Sequence, residues 1–196
     1  KNNGTLWAWG YNGFGELGDG TYVDKILPTQ IGTSIDWDTV SATYWSNMAI
    51  KKDGTLWGWG HNSNYGQLGD GTTTNRNTPV QIGTATDWLK VSAGPAHTVA
   101  IKANGTLWVW GLNVYGEFGN GNNSNSHVPI QIGTETNWHD ALAGEYHTLA
   151  LKSDGTIWST GINSDGRLGD GTIYSRNILE QIGTENDWQS IGIGKY

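Results

Sequence analysis

The sequence predicts an all-β protein, a β-propeller built of four-stranded antiparallel blades. Three observations carry this. One unit of about fifty residues recurs four times, each unit turns at an Asx-Gly pair between short β-rich runs, and no helical 3.6-residue periodicity appears.

The period is read from GTLW at Gly4, Gly54 and Gly105 and GTIW at Gly155, with spacings of 50, 51 and 50 residues. Next come WGYNGFGELGDGT from Trp9, WGHNSNYGQLGDGT from Trp59, WGLNVYGEFGNGN from Trp110 and TGINSDGRLGDGT from Thr160. One extra residue in the HNSNYG loop accounts for the longer spacing. PTQIGT, PVQIGT, PIQIGT and LEQIGT follow, each leading to Trp37, Trp88, Trp138 or Trp188 after Asp or Asn. The four copies fill residues 1–196, which are therefore expected to be a single repeat array.

Each unit reads as strands. Val99–Lys102 and Thr106–Trp110 are runs rich in β-branched and aromatic residues, joined through Asn104-Gly105. Asp53-Gly54 and Asp154-Gly155 stand in the same place, and such pairs supply the positive φ angles of a tight hairpin. The Asn-Gly-Thr triplets at Asn3 and Asn104 thus match a glycosylation sequon through turn chemistry. Along Leu107-Trp108-Val109-Trp110 successive side chains face opposite sides, and both sides are apolar. A sheet apolar on both faces belongs between neighbouring sheets, as propeller blades do.

WGxNxxGQLGxG, then PxxI, then AGxxHTxAL/IKxDGxLW is similar to the regulator of chromosome condensation repeat, of bacterial tandem type, and the similarity covers the whole chain. Family members usually close seven blades into a ring, and the resemblance implies that fold. Departures are Thr160 for tryptophan, Leu179 for proline, Asn120 for aspartate, and SATYWSN at residues 41–47. In that last segment Thr43 replaces the glycine and Ser46 the histidine of SAGPAHT and LAGEYHT, so this copy is expected to lose its internal fastening.

Lys1 aligns with Lys51, Lys102 and Lys152, and Tyr196 with Trp45, Ala96 and Tyr146. The chain falls five residues short of four full units, the segment matching His97–Ile101. One blade is therefore expected to lack a strand unless the other terminus or another chain completes it. A fragment of a longer propeller, a homo-oligomer completing a larger ring, and a closed four-bladed ring all satisfy the count.

Composition narrows the function. The net charge of −7, with eleven scattered basic residues, disfavours nucleic-acid binding. No apolar stretch reaches membrane-span length. Without cysteine there is no disulfide, thiolate metal site or thiol nucleophile. No nucleophile elbow, phosphate-binding loop or carboxylate pair stands outside the repeat, so no catalytic residue, cofactor or metal is expected. His61, His127 and His139 occupy three different repeat positions without ligand spacing, whereas His97 and His147 share one position and read as internally hydrogen-bonded. Asp19, Asp70 and Asp170 in GDGT read as turn carboxylates accepting backbone N–H groups.

Eleven of the twelve tryptophans keep a fixed repeat position and read as packing residues; Trp45 alone does not. The two residues between AG and HT vary among copies: Tyr44-Trp45, Pro95-Ala96, Glu145-Tyr146 and Lys195-Tyr196. They begin a strand and should point to one end of the ring, where the family commonly binds partners. Tyr44, Trp45, Glu145, Tyr146, Lys195 and Tyr196 are therefore the candidate partner-binding residues. A second variable set, Tyr22–Leu27, Thr73–Thr78, Asn122–Val128 and Ile173–Ile178, reads as drift in solvated loops.

The expectation is a non-catalytic protein-binding or scaffold propeller. A lectin-like module stacking the same aromatics on a glycan is the alternative. Guanine nucleotide exchange on a small GTPase is implied only by the family's best-known activity, since the chain holds few blades and no inserted wedge. Composition leaves the compartment open; the similarity of the units, with the resemblance, implies a bacterial array that is secreted or displayed at the surface.

Overall fold

A computed structural model describes residues 1–194, which form fourteen strands and no helix. No helix is therefore long and apolar enough to cross a membrane. Three antiparallel sheets have four strands each. The first joins β3 (Trp37–Ala42), β4 (Ser46–Lys51), β5 (Leu56–Gly60) and β6 (Arg76–Gln81) in that order. The second joins β7 (Trp88–Ala93), β8 (His97–Lys102), β9 (Leu107–Gly111) and β10 (Ser126–Ile132). The third joins β11 (Trp138–Ala143), β12 (His147–Lys152), β13 (Ile157–Gly161) and β14 (Arg176–Ile182). Ahead of them β1 (Leu6–Gly10) pairs only with β2 (Lys25–Ile31). Residues 188–194, the counterpart of β3, β7 and β11, lie outside any sheet, and no strand pairing joins the first sheet to the last among the described residues. The blades form an arc that is not closed.

Sequence repeat and blade are out of phase. GTLW through QIGT makes the two outer strands of one blade, and the chain then crosses over to make the two inner strands of the next. The crossover is held by the hairpin turn: Trp37, Trp88, Trp138 and Trp188 donate their backbone N–H to Gly4, Gly54, Gly105 and Gly155. A Cβ on Gly54 would stand 2.1 Å from the Thr86 carbonyl oxygen, and Gly54 has φ +76°. Glycine is required there twice over. The Asx residue before it does not take a positive φ as the sequence suggested, because no non-glycine residue does. It contributes its side chain instead: Asp53 Oδ1 accepts from the backbone N–H and hydroxyl of Thr55 at 3.0 and 2.7 Å. Asn3, Asn104 and Asp154 bond Thr5, Thr106 and Thr156 in the same way.

One recurring joint between blades is a backbone carbonyl in each of the first three units. The Glu16 carbonyl accepts from Asn47 Nδ2 at 2.7 Å and Trp59 Nε1 at 2.9 Å, both on the next blade. The Gln67 carbonyl accepts likewise from Thr98 Oγ1 at 2.8 Å and Trp110 Nε1 at 2.9 Å. The Glu117 carbonyl accepts from Thr148 Oγ1 at 2.7 Å. In that last pair Thr160 replaces the tryptophan, and its hydroxyl lies 2.8 Å from the Gly116 carbonyl. Leu179, standing where the other copies have proline, donates an N–H that proline lacks to the Gly119 carbonyl at 3.1 Å.

Neighbouring tryptophans also clamp a lysine. Lys51 Nζ sits 4.9 and 4.7 Å from the rings of Trp37 and Trp57, and Lys102 and Lys152 repeat this with Trp88/Trp108 and Trp138/Trp158. Lys1 covers Trp7 alone.

Repeat position does not guarantee burial. Trp59 and Trp110 are 2% and 0% exposed, but their equivalent Trp9 is 60% exposed because no preceding blade covers it. The contrast predicts unequal effects at one repeat position. Trp110→Ala should lose about 3–5 kcal/mol in urea unfolding, whereas Trp9→Ala should change stability by no more than about 1 kcal/mol.

Candidate functional site

The face that carries the candidate residues is built on four buried asparagines. Asn12, Asn62, Asn113 and Asn163 are fully buried. Asn62 Oδ1 accepts from Leu68 N at 3.0 Å, while its Nδ2 donates to the Thr72 and Thr74 carbonyls at 3.0 and 3.2 Å. The other three repeat this pattern, with Oδ1 accepting from Leu17, Phe118 and Leu168. Each asparagine thereby ties the loop after its own strand to the GDGT loop, and the short segment between becomes a rigid mount. Asp70 joins the same network: its Oδ1 accepts from Asn62 Nδ2 and from the N–H and hydroxyl of Thr72, and Arg76 pairs with its Oδ2. Burial pushes the Asp170 carboxyl up, but bonds from Thr172, Arg176 and Asn163 outweigh it and bring it down to about 2. These carboxylates are turn residues, as their sequence context indicates.

The mounted segments present Phe14, Tyr65 and Tyr115 beside the candidate residues. His61 N donates to the Trp45 carbonyl, Leu112 N to that of Ala96 and Ile162 N to that of Tyr146, so loop and strand start are stitched together in three copies. An aromatic band results. Tyr11 and Phe14 lie 6.4 Å apart between centroids, Phe14 and His61 4.9 Å, His61 and Trp45 5.9 Å, and Trp45 and Tyr44 6.5 Å. Tyr115 meets Tyr146 edge-on at 5.4 Å. Tyr44 and Trp45 are 71% and 46% exposed, and Glu145 and Tyr146 are half-buried. Tyr44 and Glu145 also line a cavity of about 480 Å³ with Thr43, Pro95, Gly144 and Ile193, where the strand starts of four units converge. Lys195 and Tyr196 lie outside the described residues.

Sequence reasoning found one row of this band and missed the other. Phe14, Tyr65 and Tyr115 occupy one position of WGxNxxG, aromatic in three copies and Asp165 in the fourth. That is the same signature, variable identity at a fixed mount, that singled out Tyr44 to Tyr146. The second variable set packs partly against the preceding blade. Asn77, His127 and Asn177 lie against Gly15, Gly66 and Gly116, where a Cβ would come within 2.5–2.6 Å.

Behind the band one histidine bonds across to the next blade. His97 is fully buried and its Nε2 lies 3.0 Å from Thr148 Oγ1. That hydroxyl donates its proton to the Glu117 carbonyl, so it accepts from His97, which carries its proton on Nε2. Burial, then the neighbouring His147, drive His97 down to about 3; burial, then Arg167, drive His147 down to about 4. His61 bonds Gln67 Nε2 and Ser63 Oγ, both at 2.8 Å. Among the described residues no group of three potential ligands could hold a metal ion.

The SATYWSN copy is refastened rather than unfastened, which corrects the sequence expectation. A Cβ on Gly144 would stand 2.4 Å from His147 Cε1, and one on Gly94 2.7 Å from the Gly144 carbonyl oxygen, so both histidine copies require glycine there. With Ser46 in place of histidine the space is free, and Thr43 fills it. The Thr43 hydroxyl donates to the Ser46 carbonyl at 3.1 Å and accepts from Ser46 N at 3.3 Å. The loop carrying Tyr44 and Trp45 is pinned by its own two substitutions. Ser46→His alone should therefore be destabilising, Thr43→Gly with Ser46→His should recover most of the loss, and a double-mutant cycle should show coupling of about 1–3 kcal/mol.

Comparison with known proteins fits this architecture. The regulator of chromosome condensation (RCC1) repeat matches residues 3–50, 53–101 and 104–151, each match spanning the outer strands of one blade and the inner strands of the next. The ultraviolet-B receptor UVR8 of Arabidopsis thaliana is 33% identical over 115 residues, covering 57% of this chain and 26% of the receptor. The mitochondrial RCC1 domain-containing protein RUG3 of the same plant is 29% identical over 123 residues, with 57% and 27% covered. The chain thus spans about a quarter of the curated relatives it matches. The crystal structure of human WBSCR16 superposes with a TM-score of 0.83 at 25% identity, over 94% of this chain and 50% of that one. That of Prp20p from Saccharomyces cerevisiae, described with its binding to Gsp1p and histones, gives 0.78 at 18%, over 92% and 46%. By its matched repeats, and by the blades they fold into, the chain belongs to the regulator of chromosome condensation (RCC1) repeat family.

Proposed function

We propose that the chain is a non-catalytic docking segment of a propeller, engaging a protein partner through the face that bears Tyr44, Trp45, Glu145 and Tyr146; Lys195 and Tyr196 are proposed on their repeat position in the sequence alone. The observation that carries this reading is Trp45. It departs from the repeat and stays 46% exposed beside Tyr44, on a loop fixed by Thr43 and Ser46. Exposed aromatics on a rigid mount lose little entropy on binding, which is how anchor residues act. The relatives point the same way, since Prp20p is described as binding other proteins. We take residues 1–196 as a single array, a reading supported by apolar clusters that each straddle two successive blades among the described residues.

The open blade fits a scaffold that other repeats complete. Trp9 and Trp188, 60% and 46% exposed, offer positions that neighbouring blades cover elsewhere in the arc. That surface stands apart from the docking face and does not carry the functional reading.

Substitution at the anchors separates docking from packing. Tyr44→Ala with Trp45→Ala should leave the melting temperature within about 2 °C of the parent. A photo-crosslinker at position 44 should give a discrete partner adduct that Trp45→Ala abolishes and that a crosslinker at exposed Thr33, before the start of β3, does not give. A melting temperature lowered by more than about 8 °C would reassign Trp45 to the core, and equal adducts from both positions would remove the docking face.

A further inference from the structure

Three tyrosines and two carboxylates of the second and third units lie near one another on this face. Tyr115 and Tyr146 touch edge to face with centroids 5.4 Å apart. Burial raises the Tyr146 hydroxyl above its ordinary value, and Glu145, Tyr65, Tyr115 and Glu117 raise it further, which places all four within electrostatic reach of it. Ala96, the equivalent of Trp45 and Tyr146, carries no ring and is buried. Tyr115 is 42% exposed and Tyr65 half-buried, so the rings are open to a guest.

The carboxylates lack a counter-charge. Each lysine and arginine in an ion pair among the described residues is matched to another acidic group, and none to Glu117 or Glu145. Glu117 is 0% exposed. Its Oε2 accepts from Tyr115 N at 2.9 Å, while its buried Oε1 has no hydrogen-bond donor. A buried carboxylate without a partner is unfavourable, and a cation brought close to it relieves that penalty. Elsewhere this protein seats three of its ion-paired lysines over tryptophan rings, Lys51, Lys102 and Lys152. Here the rings and the negative charge are present and the cation is not.

We propose that Tyr65, Tyr115 and Tyr146, with Glu145 beside them and Glu117 under Tyr115, receive an arginine side chain of the docked partner. This deepens the docking reading and rests on it. A guanidinium stacks flat on a tyrosine ring and keeps its edge N–H groups for a carboxylate, which suits a site of rings with an acidic side. Glu145 supplies the direct contact. Glu117, enclosed beneath, acts through its field and is a positioning residue. Burial lifts its carboxyl to about 7, against the pull of the backbone N–H groups of Glu117, Tyr115 and Gly116. A bound cation favours the ionised form, so affinity should rise as pH increases through about 7. The groups placed near Glu117 are Tyr115, whose N–H it accepts, Tyr146 within electrostatic reach, and His97, which meets the Thr148 hydroxyl that bonds the Glu117 carbonyl.

The repeat itself supplies variants that fold. Gln67 occupies the position of Glu117, and Ala96 that of Tyr146. The test is a titration of the whole chain, followed by tyrosine-ring NMR, with acetyl-Gly-Arg-Gly-amide and with its uncharged citrulline counterpart. The arginine peptide should give saturable shifts at Tyr115 and Tyr146, and citrulline should give none. Glu145→Gln should weaken binding about 5- to 10-fold and Tyr146→Ala should abolish it. Glu117→Gln should flatten the rise in affinity between about pH 6 and 8. Equal response to citrulline, no saturable response to arginine, or a pH profile unchanged in Glu117→Gln would each overturn the cation site as drawn. The docking face stands or falls on Tyr44 and Trp45, so a negative titration removes the arginine site alone.

Discussion

A carbonyl oxygen in each of the first three units anchors the blade that follows it. At Glu16 and Gln67 it accepts two side-chain donors from the following blade, an asparagine or threonine at the second residue of the second strand and an indole N–H from the third. The two indoles and Thr98 are buried, and a buried indole or hydroxyl left without an acceptor would destabilise the interface. That pairing forces the loop bearing the carbonyl into register with the next blade, which in turn fixes the buried asparagine network and the loop tips above it. The docking face is therefore a consequence of how blades are joined. Its aromatics stand on backbone that the interface has already immobilised.

Much of the architecture is legible in the sequence because its causes are local and repeated. GTLW, the Asx-Gly turn and the DW crossover each have a short-range reason to recur, and the structure shows that reason as a hydrogen bond or a forbidden Cβ. The phase of the blade was not legible. Nothing within fifty residues says that GTLW begins the outer half of one sheet while HTxAIK completes the inner half of another, because that choice is made by contacts between units. For the same reason Trp9 reads as packed and is exposed: its repeat position specifies the residue, and only the neighbouring blade specifies burial.

The candidate site divides along a similar line. Tyr44, Trp45, Glu145 and Tyr146 stand out because they vary where the flanking AG and HT do not. Phe14, Tyr65 and Tyr115 carry the same signal one loop away, yet only the hydrogen bonds from His61, Leu112 and Ile162 to the strand starts reveal that the two rows adjoin. The buried Oε1 of Glu117 is without a donor, as are those of Glu16 and Gln67 at the same repeat position, so repetition makes all three read as structural. In SATYWSN the loss of glycine and histidine reads as lost fastening. Thr43 and Ser46 show instead that two substitutions can exchange one fastening for another, and that Trp45 rides on the result.

The carbonyl joint is tested most directly by hydrogen exchange at the indole N–H groups. Trp59 and Trp110 donate to it and Trp9, at the same repeat position, has no blade to meet. Indole protons of Trp59 and Trp110 should exchange only through opening of the blade interface, slower than that of Trp9 by about a thousandfold or more. Comparable rates at all three tryptophans would contradict the account, because the interface would then not be held where the structure places it.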